Sequence, residues 1–145
     1  MISLSASIWA RWCDRTADRP PRDEGAGVAT IEQLMYANLL EVFNERDPER
    51  RRAAITRTYA PGVRFADPEE VVVRYDALDA KAQKILDEAP GFVFSPDGPL
   101  LISHDLGHLP WAFGPEGRPP VVRGIDIALI ADGLITHVHT LLITG

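Results

Sequence analysis

The sequence predicts an α+β domain, helices first and antiparallel strands last. Three observations carry this. Apolar residues recur at helical spacing between residues 30 and 60 and again around Leu78–Leu86. From Phe92 onward short alternating runs are separated by Gly and Pro turn signals. Near the end, Val121–Ile130 and Leu134–Ile143 flank Ala131-Asp132-Gly133, a tight hairpin signal.

Each element has a local cause. Thr30-Ile31-Glu32-Gln33 has capping-box spacing, so the first helix starts there. Ile31, Met35, Leu39, Val42 and Phe43 form its apolar face, and it ends near Asn44-Glu45. Asp47 caps a second helix and Pro48 suits its first turn, where no amide partner exists. That helix runs to about Tyr59 and is stopped by Ala60-Pro61-Gly62. Val63–Pro68 alternates like a strand closed by proline, and Val71-Val72-Val73 is a short β-rich run. Leu78, Ala82, Ile85 and Leu86 share a face of a third helix ending before Pro90-Gly91. Phe92-Val93-Phe94 is a strand. Leu100–Phe113 reads as one longer strand interrupted by Gly107 and Pro110, with a bulge or break at Pro110, which cannot donate to a ladder. Gly114-Pro115-Glu116-Gly117 is a turn.

The chain has 145 residues, the size of one domain, with 46% hydrophobic and 25% charged residues. A single cysteine, Cys13, excludes a disulfide framework and a cysteine zinc site. A net charge of −6 argues against nucleic-acid and anionic-membrane partners. No apolar run approaches the ~20 residues of a membrane helix, so a cytoplasmic protein is expected. Residues 1–29 read as a flexible lead-in. Arg19-Pro20-Pro21-Arg22 and Gly25-Ala26-Gly27 punctuate it, and four arginines balance Asp14, Asp18, Asp23 and Glu24. Its first ten residues faintly suggest a signal peptide but lack a basic start and an Ala-x-Ala site; Trp9 and Trp12 can instead dock a short helix. The working domain is then 30–145. Arginine far outnumbers lysine, which occurs only at Lys81 and Lys84, and Arg50-Arg51-Arg52 reads as a solvated helix face.

The motifs recur in a known order. Asn44-Glu45-Arg46-Asp47-Pro48-Glu49-Arg50-Arg51 has the Asn-x-x-Asp-x-x-x-Arg pattern. Phe65-Ala66-Asp67-Pro68, His104-Asp105, Trp111, Gly124-Ile125-Asp126 and Asp132-Gly133-Leu134-Ile135 follow. Over residues 30–145 the chain resembles the SnoaL-like branch of the nuclear-transport-factor-2-like (ketosteroid isomerase-like) superfamily. The resemblance implies a cone-shaped roll of N-terminal helices packed on a curved antiparallel β-sheet, a small-molecule pocket without a cofactor, and a homodimer through the sheet. Ketosteroid isomerase implies roles as well. Its general-base aspartate, in an Asp-Pro ending the first strand, corresponds to Asp67. Its protonated aspartic acid on a late strand corresponds to Asp126. Its helix-one tyrosine corresponds to Leu39, with Tyr36 one turn earlier on the same face. Tyr75 stands where SnoaL-like relatives have glycine, which is expected to reshape the pocket entrance.

The residues themselves leave alternatives. Asp67 is either a turn cap or a carboxylate base at the mouth of an apolar cavity, its pKa raised by burial. Asp126 shares a strand face with Val122, Gly124, Ala128 and Ile130. An aspartate there is a buried acid donating to a developing oxyanion, or a solvated or ion-paired one, with Arg123 or Arg118 as partner. Trp111 and Phe113 share a parity with Leu109 and form core or a pocket wall. Asp105 has the same parity and is expected beside Asp126, where two carboxyls can share a proton. Val138 and Thr140 face the pocket by the family pattern, which leaves His137 and His139 on the outer sheet surface. His104, Asp105 and His108 sit close enough in sequence to suggest metal ligands; the outer-surface placement argues for no metal. The functional expectation is a proton-transfer isomerase, cyclase or hydratase acting on a small, mostly apolar substrate. The alternative is a ligand-binding or dimerisation module without chemistry.

Overall fold

A computed structural model describes residues 28–143; the lead-in, except Val28 and Ala29, lies outside the described residues. Helix α1 (Ile31–Tyr36) opens with the expected reciprocal cap: Gln33 N donates to Thr30 Oγ1 at 3.1 Å and Thr30 N to Gln33 Oε1 at 2.9 Å. It then widens into a π-helical segment, Ala37–Val42, where Phe43 N donates to Asn38 O five residues back. Such widened turns are uncommon and often mark functional sites. Helix α2 (Pro48–Thr58) is capped by Asp47, which accepts from Arg50 N at 2.9 Å. Strand β1 (Tyr59–Ala66) follows directly, then β2 (Val71–Val73), α3 (Tyr75–Glu88), β3 (Phe92–Pro96), β4 (Leu101–Ser103), β5 (Leu106–Pro115), β6 (Val122–Ala131) and β7 (Leu134–Leu142).

The strands form one sheet in the order β2-β1-β7-β6-β5-β3, with β4 also on β5. Its pairs are antiparallel except β1 and β7, which run parallel. These two are far apart in the chain, so no hairpin dictates their direction. Ala60-Pro61-Gly62 does not stop the chain before a strand. It lies inside β1, where the register with β7 slips between Tyr59 and Arg64. The β6–β7 connection is the tight Asp-Gly turn expected, and it is of the I′ kind: Asp132 and Gly133 have φ of 54° and 75°.

The long strand expected over 100–113 is instead a hairpin. It turns at His104-Asp105, and the break lies there and not at Pro110. Pro110 keeps its place in the ladder opposite Ile125, and its carbonyl accepts from Asp97 N at 2.9 Å. A residue's N and C=O point to the same side of a strand. The missing N–H of Pro110 therefore faces the gap between the end of β3 and the start of β4, and costs no ladder bond. Leu109, Trp111 and Phe113 accordingly stay in phase and are all buried.

The helices lie on one face of the sheet. At Gly107 on β5 a Cβ would come within 2.7 Å of Met35 Sδ, so the absence of a side chain there lets Met35 of α1 rest directly on the sheet. The Asn-x-x-Asp-x-x-x-Arg motif serves as scaffold. Asn44 bonds both backbone groups of Phe94, Asp47 caps α2, and Arg51 ties α2 to α3. Arg51 is not on a solvated face. It is 1% exposed, with Nε 2.6 Å from Asp79 Oδ1, Nη1 donating to Glu45 O at 2.8 Å and Nη2 to Gln83. Arg50 and Arg52 are exposed as expected. No helix among the described residues is long and apolar enough to cross a membrane.

Removing Arg51 strips its buried donors from Glu45 O and Gln83 and leaves Asp79 with only the exposed Arg52, at 3.1 Å. Arg51→Ala is expected to lower stability by about 3 kcal/mol in urea unfolding. A loss below about 1 kcal/mol, the scale of a surface pair, would place Arg51 outside the load it is assigned here.

Candidate functional site

Between the helices and the sheet lies a cavity of about 230 Å³. Its walls are aromatic. Phe94 stacks on Phe113 with centroids 4.0 Å apart and meets Trp111 edge-on at 5.2 Å, while Phe43 stacks on Phe65 at 5.2 Å. These rings come from the π-helical segment's C-cap, β1, β3 and β5, and all five reach the cavity.

Asp126 sits in this wall at 5% exposure, on the inward face of β6 as alternation requires. It pairs with neither arginine considered for it: Arg123 faces out and lies 3.4 Å from Asp97. Three neutral donors hold its carboxyl instead. Oδ1 accepts from Trp111 Nε1 at 2.9 Å and from Thr140 Oγ1 at 2.7 Å; Oδ2 accepts from Asn38 Nδ2 at 2.8 Å. The ladder explains two of them. Asp126 lies opposite Leu109 on β5 and Thr140 on β7, and Trp111 is opposite Gly124, two residues along. Gly124 lets the indole cross β6, since a Cβ there would run into Trp111 Cζ2 and Leu141 O. The third donor comes from the helices. Asn38 is 1% exposed in the π-helical segment, and the hydroxyl of the buried Tyr59 donates to its Oδ1. That bond orients the amide so that its nitrogen faces Asp126. Burial pushes Asp126 above the usual carboxylate range against the pull of Thr140, Trp111 and Asn38. Burial and the Asp126 charge push the Tyr59 phenol well above its ordinary value.

Asp67 also lines the cavity, at the β1–β2 turn. Its Oδ1 caps that turn, accepting from Glu69 N and Glu70 N at 2.9 Å each, so both readings of this residue describe part of its setting. Its Oδ2 lies 2.6 Å from Lys81 Nζ, on a side chain only 2% exposed. The expected rise in its pKa is absent. Burial, the largest single influence, pushes it up, but Lys81 and the amides of Glu70 and Glu69 together pull it below its ordinary value.

Of the other expected pocket residues, Leu39, Trp111, Phe113 and Thr140 line the cavity. Tyr36, Asp105 and Val138 do not. Tyr36 packs against the core one turn, ~5 Å, back from Leu39, toward the end of α1 that rests on Gly107. Asp105 keeps the parity of Trp111 but lies in the β4–β5 turn, exposed, where its carbonyl accepts from Ile130 N at 2.8 Å. Val138 is fully buried core, one ladder step from Thr140 beneath the helices. Tyr75 does not reshape the cavity, since its hydroxyl donates to Tyr59 O at 2.7 Å. Among the described residues no group of three or more His, Cys, Asp or Glu is placed to hold a metal ion. Sequence reasoning missed Asn38, Tyr59 and Lys81. Asn38 alone left a trace, as a polar residue inside the apolar run Leu34–Leu40.

Comparison with solved structures agrees with this architecture. A SnoaL-like family protein from Agrobacterium tumefaciens, assigned as an isomerase, superposes with TM-score 0.72 at 22% identity, over 77% of this chain and 95% of that one. An NTF2-like protein of unknown function from Cytophaga hutchinsonii gives 0.60 at 12% identity, over 79% and 91%. The chain has the NTF2-like fold. A protein from Jannaschia sp. CCS1 assigned as a SnoaL-like polyketide cyclase gives 0.61 at 16% identity, over 86% and 90%. No protein-family model matches the sequence, and no curated protein does. The NTF2-like cavity here is thus defined by its own residues.

Two outcomes test its electrostatics. Tyr59→Phe frees the Asn38 amide to turn away from Oδ2, so the carboxylate loses a donor and the Asp126 pKa is expected to rise further. Carboxyl NMR titration reads this, and an unchanged midpoint would remove Tyr59 from the chain of bonds. The depressed pKa of Asp67 contributes stability above its unfolded-state pKa and loses it as pH falls through the folded-state value. Asp67→Asn is therefore expected to be less stable than the parent at pH 7, with the gap closing in acid; a gap independent of pH would contradict the pairing with Lys81.

Proposed function

We propose that this protein binds a small, mostly apolar molecule in the NTF2-like cavity and moves a proton on it, in the manner of a SnoaL-like isomerase, cyclase or hydratase. The observation that carries the reading is Asp126. A carboxyl held on an apolar, aromatic wall, with its pKa raised by burial, keeps its proton to higher pH than an exposed carboxyl and is suited to give and take one there. Its fixed donors keep it oriented without reorganisation during reaction. The isomerase and polyketide cyclase assignments of structurally similar proteins support the same class of chemistry.

The two carboxyls divide the work unequally. Asp126 is the proton-transfer group. Asp67 is paired with Lys81 and holds its proton weakly, so it acts as a fixed charge at the mouth and a poor base. A second reading, ligand binding without chemistry, draws on that same locked Asp67 and on Leu39 at the position of the helix-one tyrosine.

With a substrate found by screening small enolisable ketones, Asp126→Asn is expected to lower kcat at least a hundredfold, the scale of a lost general acid–base group. Asp67→Asn is expected to lower it less. Undiminished turnover in Asp126→Asn would overturn the assignment. A ligand that binds tightly and is recovered unchanged, with no compound in the screen converted, would favour the binding reading.

A further inference from the structure

The two lysines converge on one place. Among fifteen Lys and Arg residues only Lys81 and Lys84 are lysine. Both lie on α3, three residues apart and so on one face of it. Both meet the β1–β2 turn, Asp67-Pro68-Glu69-Glu70, which carries three carboxyls. Lys81 Nζ lies 2.6 Å from Asp67 Oδ2, 3.5 Å from Glu69 Oε2 and 3.6 Å from Glu70 Oε1. Lys84 Nζ lies 3.5 Å from Glu69 Oε1. A compact ammonium on a flexible stem suits a point where several carboxylates converge, whereas the planar fork of arginine suits a single one. The Lys81 side chain is only 2% exposed. Burial, the largest single influence, lowers its pKa, but Asp67, Glu70 and Glu69 together raise it above the ordinary value, so the ammonium stays charged.

The same turn forms part of the cavity wall. Asp67, Pro68 and Glu69 line the cavity from the turn, and Ile85 lines it from α3, about one helical turn beyond Lys81. Internally the turn is braced. Asp67 N donates to Glu70 O at 3.0 Å, Asp67 Oδ1 accepts from Glu69 N and Glu70 N, and Pro68 fixes one φ. Externally it is held lightly. It leads into β2, a three-residue strand at the edge of the sheet, with Val71 and Val73 exposed. A segment with so little buried surface opens at low free energy unless something ties it down. Its ion pairs to α3 are those of Lys81 and Lys84.

We propose that Lys81 is the positioning residue of the cavity mouth: through the three carboxyls it holds the β1–β2 turn against α3 as a latched flap, and so sets how fast a ligand enters and leaves. Lys84 reinforces the same latch from the surface. This rests on the ligand-binding reading above and adds a control on access to it. The latch is closed with and without ligand, so it cancels from the affinity and appears in both rate constants. Opening precedes passage in each direction, as it does for the lids that limit turnover in many enzymes.

The test uses the full chain and 2-naphthol as an uncharged probe at pH 7. Line-shape analysis of an NMR titration gives both rate constants and Kd. Lys81→Met keeps the apolar stem and deletes the ammonium. It is expected to raise the association and dissociation rate constants at least tenfold each while Kd changes less than threefold, a pattern that loss of packing alone does not produce. Unchanged rate constants would overturn the latch while leaving the cavity as a ligand site. Weaker affinity at an unchanged association rate would overturn it too, because Lys81 would then shape the bound site and not the way in. Failure of the parent to bind 2-naphthol at millimolar concentration would overturn the ligand-binding reading and the latch together. Should Lys81→Met fail to fold, Asp67→Asn keeps the oxygen that caps the turn and removes the charge from the 2.6 Å pair. It carries the same expectation for both rate constants and the same refutation.

Discussion

The carboxyl of Asp126 is the constraint around which the structure is arranged. Taken out of water, it must find its hydrogen bonds within the protein or it destabilises the fold. The donors come from three separate elements. Trp111 reaches it from β5, Thr140 from β7 and Asn38 from the π-helical segment, with Tyr59 at the start of β1 orienting Asn38. One acidic side chain therefore couples the centre of the sheet to the helix lying over it. The widened turn of the first helix belongs to the same arrangement, because it contains the buried amide.

Around that polar centre the fold separates support from chemistry. The conspicuous motif between the first two helices is support throughout: Asn44 pins β3, Asp47 caps, and Arg51 bridges α2 and α3. The aromatic residues are partly support as well. Phe43, Phe65, Phe94, Trp111 and Phe113 hold one another in edge and stacked contacts while leaving a cavity among them. An apolar wall stiffened in this way keeps the carboxyl dry, and dryness is what raises its pKa.

Asp67 and Asp126 show how environment divides two similar groups. Both are carboxyls on one cavity. Asp126 faces neutral donors, and burial prevails over them. Asp67 faces an ammonium and two backbone amides, and together these prevail over burial. Both residues singled out by the likeness to ketosteroid isomerase line the cavity, but the direction of each pKa follows from neighbours that the likeness did not supply.

Much of the architecture was legible in the residues because its causes are local. A capping box, an Asp-Gly turn and a period of two along β6 depend on neighbours within a few positions, and each appears where it was read. The same locality misled at residues 100–113. Parity counting carried Asp105 into the pocket, whereas the chain reverses at His104-Asp105 and leaves it exposed. Tyr36 and Val138 share the fate of residues whose direction was right but whose position along the element was one step off. What only the tertiary structure decided is the chemistry of the site. Asn38 stands 88 residues from Asp126 in sequence, and Lys81 meets Asp67 across a helix and a turn. The sequence alone determined which side chains point inward, since that follows from backbone period. Which of them are charged, oriented and able to hold a proton was decided by groups brought together from distant parts of the chain, since a carboxyl responds to its neighbours in space.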